Sequence, residues 1–331
     1  MSTESPIICD STLPWMHGIA SRTKRLKELE RRRKLGFTYV SLTVGGPYDH
    51  ADELLRFMAQ ERRWIESLPD RFRFAENTDD IRQARRDGCL ALGFHLQGTS
   101  PLDGDVALVQ AYYRLGVRHM LLAYNTRNLA GDGCLESEDN GLSGFGRQVV
   151  SEMNRIGMLV DCSHTGYRTS WQALEHSASP VIFSHSNARA VRDHPRNLPD
   201  DLIKACAAQD GWIGITGVGR FLKDPQDNST EAFIGQLEYV GNLVGPRYVG
   251  IGLDHIFVGE ERNQEVLEEL AGGGSWGKTL SALDPPPPYT WVQPEQIASL
   301  AEALAGRGWA DADIRGVLGE NFLRVAQAVW K

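Results

Sequence analysis

Two short motifs carry the residue types of a hydrolytic centre. Asp161-Cys162-Ser163-His164 and Ser184-His185-Ser186 each follow an apolar run, Met158–Val160 and Val181–Phe183. A neutral imidazole carries protons near pH 7 and is the commonest side-chain metal ligand. Two histidines at the ends of neighbouring strands could converge on one ion, although a single strand-end histidine is more often structural. A third run, Tyr248–Leu253, ends in Asp254-His255. A carboxylate leaving a buried strand is costly unless it is paired or functional. Asp254 is therefore a candidate general base or metal ligand, with a helix cap as the plainer alternative. The polar stretch Ser184–Asp201 (SHSNARAVRDHPRNLPDD) holds Arg192 and Arg196, which could grip a carboxylate through planar N–H forks. Gln97 and Tyr124 close two further apolar runs. Their side chains orient substrates by hydrogen bonds and are poor zinc ligands. Asp10 closes the first candidate run.

These residues need a scaffold that brings strand ends together. Candidate strands are Tyr39–Val44, Leu90–Leu96, His119–Ala123, Met158–Cys162, Val181–Ser184, Trp212–Gly217 and Val249–Leu253, with Ile7–Cys9 as a weaker first. Most are apolar throughout, the pattern of parallel strands buried on both faces. Helical spacing marks Arg22–Lys34, Ala51–Ser67, Val106–Leu115, Gly144–Ile156, Thr169–His176, Asp200–Ala208 and Thr230–Val244. Eight strands alternating with helices predict a (β/α)8 TIM barrel, whose catalytic groups sit at the C-terminal ends of the strands. A doubly wound sheet is the rival, and no GxGxxG follows the first strand to support it. The tail departs from the repeat. Gly272–Gly274 and Pro285–Pro288 mark a long loop, read as a linker or as a lid carrying Tyr289 and Trp291. Two helices then close the chain, near Pro294–Ala305 and Asp311–Val329. The expected organisation is a single barrel domain over 1–331, with a long loop at 259–292 and C-terminal helices.

Composition narrows the class. The chain has 331 residues, 41% of them apolar and 24% charged, with a net charge of −8. That is a globular composition. The acidic balance excludes nucleic acid as the main partner, since phosphate binding needs concentrated Lys and Arg. The charge run Arg22–Lys34 reads as a solvated helix face. His95, inside a strand run, reads as a core or wall histidine. No apolar stretch reaches the roughly 20 residues of a membrane span, and no signal peptide is visible at the start. The five cysteines are irregularly spaced with no CxxC pair, which predicts a reducing, cytoplasmic setting.

Together these segments resemble the membrane (renal) dipeptidase family, peptidase family M19. The resemblance rests on YYRLGVRHMLLAYNTRN (Tyr112–Asn128), GLSGFGRQVVSEMNRIGMLVDCSHTG (Gly141–Gly166), SPVIFSHSNARAVRDHPRNLPDDL (Ser179–Leu202), YVGIGLD (Tyr248–Asp254) and VLGENFLRV (Val317–Val325). It covers about two-thirds of the chain.

The resemblance implies an amidohydrolase-like (β/α)8 barrel that holds two zinc ions and hydrolyses dipeptides, including those with a C-terminal D-residue. It implies ligands from an N-terminal His-x-Asp, a bridging Glu after the third strand, and two Ser-His histidines. His164 and His185 match that last pair. Arg196 matches the arginine that holds the substrate carboxylate, and Asp254 the acid that handles the proton of the attacking water. This sequence departs at four places. His-x-Asp reads Asp10-Ser11-Thr12, the Glu is Gln97, the histidine after the fourth strand is Tyr124, and the ending after Gly-Leu is Asp254-His255-Ile256. A neutral Gln97 cannot bridge two cations as a carboxylate does, so a two-ion centre is not expected. One zinc, held by His164, His185 and either Asp10 or Asp254, is. The expected enzyme cleaves a C–N amide bond of a small carboxylate-bearing or dipeptide-like substrate. Asp254 and Tyr124 would be catalytic, and Arg196, Gln97 and Asp10 would bind substrate. A metal-independent enzyme using the same pocket and a non-catalytic binding protein are the alternatives. A homodimer is expected from the resemblance, and neither a nucleic-acid nor a membrane partner.

Overall fold

The computed structural model describes residues 5–257 and 290–331. The proposed loop around Gly272–Gly274, Pro285–Pro288 and Tyr289 lies outside the described residues. The apolar runs form parallel strands: β1 (Cys9–Pro14), β2 (Tyr39–Gly45), β3 (Phe72–Phe74), β4 (Leu90–Leu96), β5 (Val117–Leu121), β6 (Leu159–Asp161), β7 (Val181–Phe183), β8 (Trp212–Ile215) and β9 (Val249–Ile251). Eight of them follow one another in the order β1-β2-β4-β5-β6-β7-β8-β9. The path then returns to its start. Leu253 N donates to Asp10 Oδ1 at 2.9 Å, and Asp254 N to the Thr12 carbonyl at 3.1 Å. This closure gives the (β/α)8 barrel and removes the doubly wound alternative. β3 is an extra short strand that shares one edge of β4 with β5.

Helices α1 (Arg22–Lys34), α2 (Ala51–Glu66), α3 (Thr78–Arg86), α4 (Leu108–Arg114), α5 (Gly144–Ile156), α6 (Tyr167–His176), α7 (Asp200–Ala208) and α8 (Thr230–Val244) connect the strands. Four of the eight begin where sequence chemistry dictates. Ser21, Ser143 and Ser229 each accept a backbone N–H of the first turn, and Asn77 with Asp80 forms a capping box. Among the described residues, no helix is long and apolar enough to cross a membrane.

The barrel interior is layered. At its base, Tyr39 stacks on Phe322 (5.4 Å between centroids) and Trp212 meets Phe322 edge-on (5.3 Å), so the C-terminal helix Asn321–Val329 plugs the bottom. Gly250 makes room for this plug. A Cβ there would lie 2.5 Å from the Trp212 indole. Above the aromatic layer the interior is polar, where most barrels carry branched apolar residues. His95 and His119 stack at 4.3 Å. Ser41 Oγ bridges His95 Nδ1 (3.0 Å) and His119 Nε2 (3.1 Å), and Thr43 Oγ1 meets His95 Nε2 (2.8 Å). His119 Nδ1 contacts Asp161 Oδ2 at 3.1 Å. Asp161 also accepts the backbone N–H groups of Ser163 and Ser184. These contacts outweigh burial and hold its carboxyl down to about 2, so it stays ionised. His95 is thus a barrel-interior histidine, in line with its sequence reading.

One sequence expectation fails. The charge run of α1 is not a solvated face. Arg25, Glu28, Leu29 and Arg32 fall on one helical stripe and are all buried. Arg32 pairs with Glu28 (3.0 Å) and with Asp10, and Arg25 with Glu61 (3.0 Å). Opposite charges on the stripe neutralise each other, which makes its burial tolerable. Arg32→Leu would leave Asp10 an uncompensated buried carboxylate and Glu28 with only its pair to Arg31 (3.3 Å). It is expected to cost about 3–5 kcal/mol, read as a lowered urea midpoint with an unchanged slope. An unshifted midpoint would remove Arg32 from the forces closing the barrel.

Candidate active site

Six of the residues singled out in the sequence lie just beyond strand ends on the C-terminal face of the barrel. Gln97 follows β4, Tyr124 follows β5, His164 follows β6, His185 follows β7 and Asp254 follows β9, while Arg196 enters from the loop between β7 and α7. Local backbone sets their aim. Asn125, His164 and Asp254 have φ of 59, 62 and 54°, left-handed values that non-glycine residues rarely adopt. Such conformations cost of order 1–3 kcal/mol each and gather at functional sites.

The two histidines touch. His164 Nε2 and His185 Nε2 are 2.9 Å apart. His164 Nδ1 meets Asn125 Oδ1 at 2.7 Å, and its ring stacks on Tyr124 at 3.9 Å. His185 Nδ1 meets Ser184 Oγ at 2.7 Å and Thr12 Oγ1 at 3.2 Å. Burial, reinforced by the nearby Arg196 charge, pushes both imidazoles well below their ordinary range, so both are neutral at pH 7.

Arg196 is the hub of the site. It is 3% exposed. Its Nη2 donates to the His185 carbonyl (2.6 Å) and its Nη1 to Ser186 Oγ (2.9 Å). Its Nε is buried with no hydrogen-bond partner. No carboxylate of the described residues forms an ion pair with it. Arg192, its suggested companion, acts through its carbonyl, which accepts from Asn197 Nδ2. Asp254 senses the Arg196 charge, yet burial dominates and its carboxyl is pushed up to about 7. Burial, with Asp254 nearby, pushes the Tyr124 phenol well above its usual range, so it keeps its proton. Gln97 is buried, and its backbone N–H donates to the Gly45 carbonyl (2.8 Å).

Asp10 is placed differently from the sequence expectation. Oδ1 accepts from Leu253 N and Thr12 N, and Oδ2 from the Arg32 guanidinium. Its carboxylate is spent on the β1–β9 seam and on α1, which leaves it none for substrate or metal. Sequence reasoning also passed over Asn125, Thr12 and Ser184 as the groups that orient the histidines. Asn125 alone carried a signal, since asparagine tolerates the left-handed turn it makes.

A model of the membrane dipeptidase family, peptidase family M19, matches residues 31–271. The chain belongs to peptidase family M19. It is 34% identical over 270 residues to dipeptidase verJ of Clonostachys rogersoniana, covering 80% of this chain and 62% of that one. It is 29% identical over 290 residues to an uncharacterized dipeptidase of Schizosaccharomyces pombe, covering 86% and 64%. The M19 chain thus spans less than two-thirds of the length of these curated relatives. A crystallised amidohydrolase from Pseudomonas aeruginosa is similar over 98% of this chain and 97% of its own, with 30% identity and a TM-score of 0.85.

The family resemblance implies zinc, and the donor set tests it. Among the described residues of this M19 chain, no group of three or more His, Cys, Asp or Glu side chains could hold an ion. A catalytic zinc takes three protein ligands. The single-ion set expected from the sequence does not assemble: His164 and His185 meet each other, Asp10 is taken by Arg32, and Asp254 brings no third donor to them. These residues do not fit the implied metal.

Proposed function

We propose that this M19 chain hydrolyses the C–N amide bond of a small substrate bearing a carboxylate, as in a dipeptide. One observation carries the reading. Arg196 is a buried guanidinium with an unspent Nε–H and no carboxylate partner among the described residues. A buried cation without a counter-ion is costly, and a substrate carboxylate supplies that counter-ion through a side-on fork. Family membership supports the bond class.

The remaining groups supply the chemistry. Asp254, ionised above about pH 7, takes a proton from water as the water oxygen attacks the amide carbon. The Tyr124 hydroxyl donates to the oxygen that gains negative charge, in the manner of an oxyanion hole. As the C–N bond breaks, protonated Asp254 returns the proton to the leaving nitrogen. The products are a carboxylic acid and an amine. Gln97, neutral and buried, is assigned to orienting the substrate amide. The unpaired state of all five cysteines supports a reducing, cytoplasmic setting.

The test is a panel of dipeptides and N-acyl amino acids beside their C-terminal amides. Free-carboxylate substrates are expected to be cleaved and the amides spared. kcat/KM should rise with pH to a plateau above about 7, because Asp254 must be ionised to act as base. Equal cleavage of the amides, or a profile flat from pH 5 to 9, would refute this reading.

A further inference from the structure

We propose that His164 and His185 form a metal-free imidazole couple, held together by one N–H shared between their Nε2 atoms, with no divalent cation resident in the pocket. The hydrogen-bond chain fixes this arrangement from one end to the other. Asn125 Oδ1 receives two donors, His164 Nδ1 at 2.7 Å and the Cys134 thiol at 3.6 Å. With the Asn125 amide in this orientation its Oδ1 is the acceptor, and His164 carries its proton on Nδ1. A neutral His164 then has a lone pair on Nε2. Only one hydrogen fits between that atom and His185 Nε2, 2.9 Å away, so His185 provides it. His185 Nδ1 is left as an acceptor. Two rotatable hydroxyls serve it, Ser184 Oγ at 2.7 Å and Thr12 Oγ1 at 3.2 Å. Every donor in the chain finds an acceptor, and no net charge is required.

A cation between the rings would reverse these assignments. Both Nε2 atoms would have to present lone pairs. A tetrahedral ion at its usual bond length would also hold them about 3.3 Å apart, wider than their present separation. The charge balance opposes it further. Arg196, buried, hydrogen-bonds to the backbone carbonyl of His185 itself. A divalent ion on two neutral imidazoles beside that guanidinium would gather three positive charges among buried groups. The Asp161 charge reaches His185 and Arg196, and that of Asp254 reaches Arg196, but Asp161 is spent on His119 and on the backbone N–H groups of Ser163 and Ser184. Thr12 and Gln97 are uncharged, and Asp10 is paired with Arg32. Asp254 joins the histidines in no three-ligand group.

The measurements read metal content and protonation rather than turnover, so they stand whether or not the amide-hydrolase reading holds. Protein produced in zinc-supplemented medium is assayed by elemental analysis, and its imidazoles by long-range 15N–1H correlation before and after chelation. His164→Gln and His185→Gln assign the two rings. The expected result is metal far below one ion per chain, one Nδ1–H ring and one Nε2–H ring, and spectra unchanged by the chelator. One ion per chain, or two Nδ1–H rings that change on chelation, would overturn the proposal. Should either variant fail to fold, the metal content of the unsubstituted protein decides alone.

Discussion

Asp254→Asn is expected to lower kcat by about 10²–10⁴-fold, the contribution of a positioned general base, and to stabilise the protein at pH 8. Both effects come from one physical fact. Burial pushes the Asp254 carboxyl up to about 7, against about 3.9 in an unfolded chain. Between those values the folded state binds the proton and the unfolded state does not. Stability therefore falls as pH rises from about 4 to about 7, and stays lowered above that. The cost at pH 8 is of order 2–4 kcal/mol. Asparagine removes the ionisation and recovers much of that cost, while it can accept no proton from water. The measurement is a pair of melts at pH 5 and pH 8 beside the rate. The variant should gain far more over the parent at pH 8 than at pH 5. Equal melting at both values would mean that the carboxylate is not held in a desolvated position.

Arg196→Leu is expected to lower kcat/KM for carboxylate-bearing substrates by about 10²–10⁴-fold, mostly through KM. Two charge-assisted hydrogen bonds of about 1.5–3 kcal/mol each give that range. The decisive readout is selectivity. The preference for a free carboxylate over its amide should vanish in the variant. Arg196→Lys should not restore it, because an ammonium lacks the planar fork. It also cannot reproduce the bonds to the His185 carbonyl and Ser186 Oγ together. A variant that keeps its selectivity would move the carboxylate site elsewhere.

Much of this site was legible before the fold. His164, His185 and Asp254 stood out because buried parallel strands read as apolar runs, and a polar residue closing such a run marks the barrel mouth. The bounds of α1, α5, α7 and α8 follow from their periodicity, to the residue. β3 escaped because three residues carry no periodicity. α3 escaped although its Asn77…Asp80 capping box was visible. Asp10-Ser11-Thr12 breaks the apolar run of β1, which puts its predicted end near Asp10. In the fold these polar groups are satisfied by Leu253 N, Ser184 O and His185 Nδ1, from elements more than 170 residues away. Period-two and period-3.6 patterns say where polar residues fall, not what meets them. For the same reason Arg32 read as solvated and Asp10 as a substrate contact, when each is the other's buried partner.

The most direct measurement of the account is a mass-spectrometric time course of dipeptide cleavage in 18O-water, run on the parent protein and on Asp254→Asn with a chelator present. The parent is expected to release both products with one 18O in the newly formed carboxylate, and the variant to release neither at a comparable rate. Failure of the parent to cleave any carboxylate-bearing amide, or equal rates in the two proteins, would contradict it.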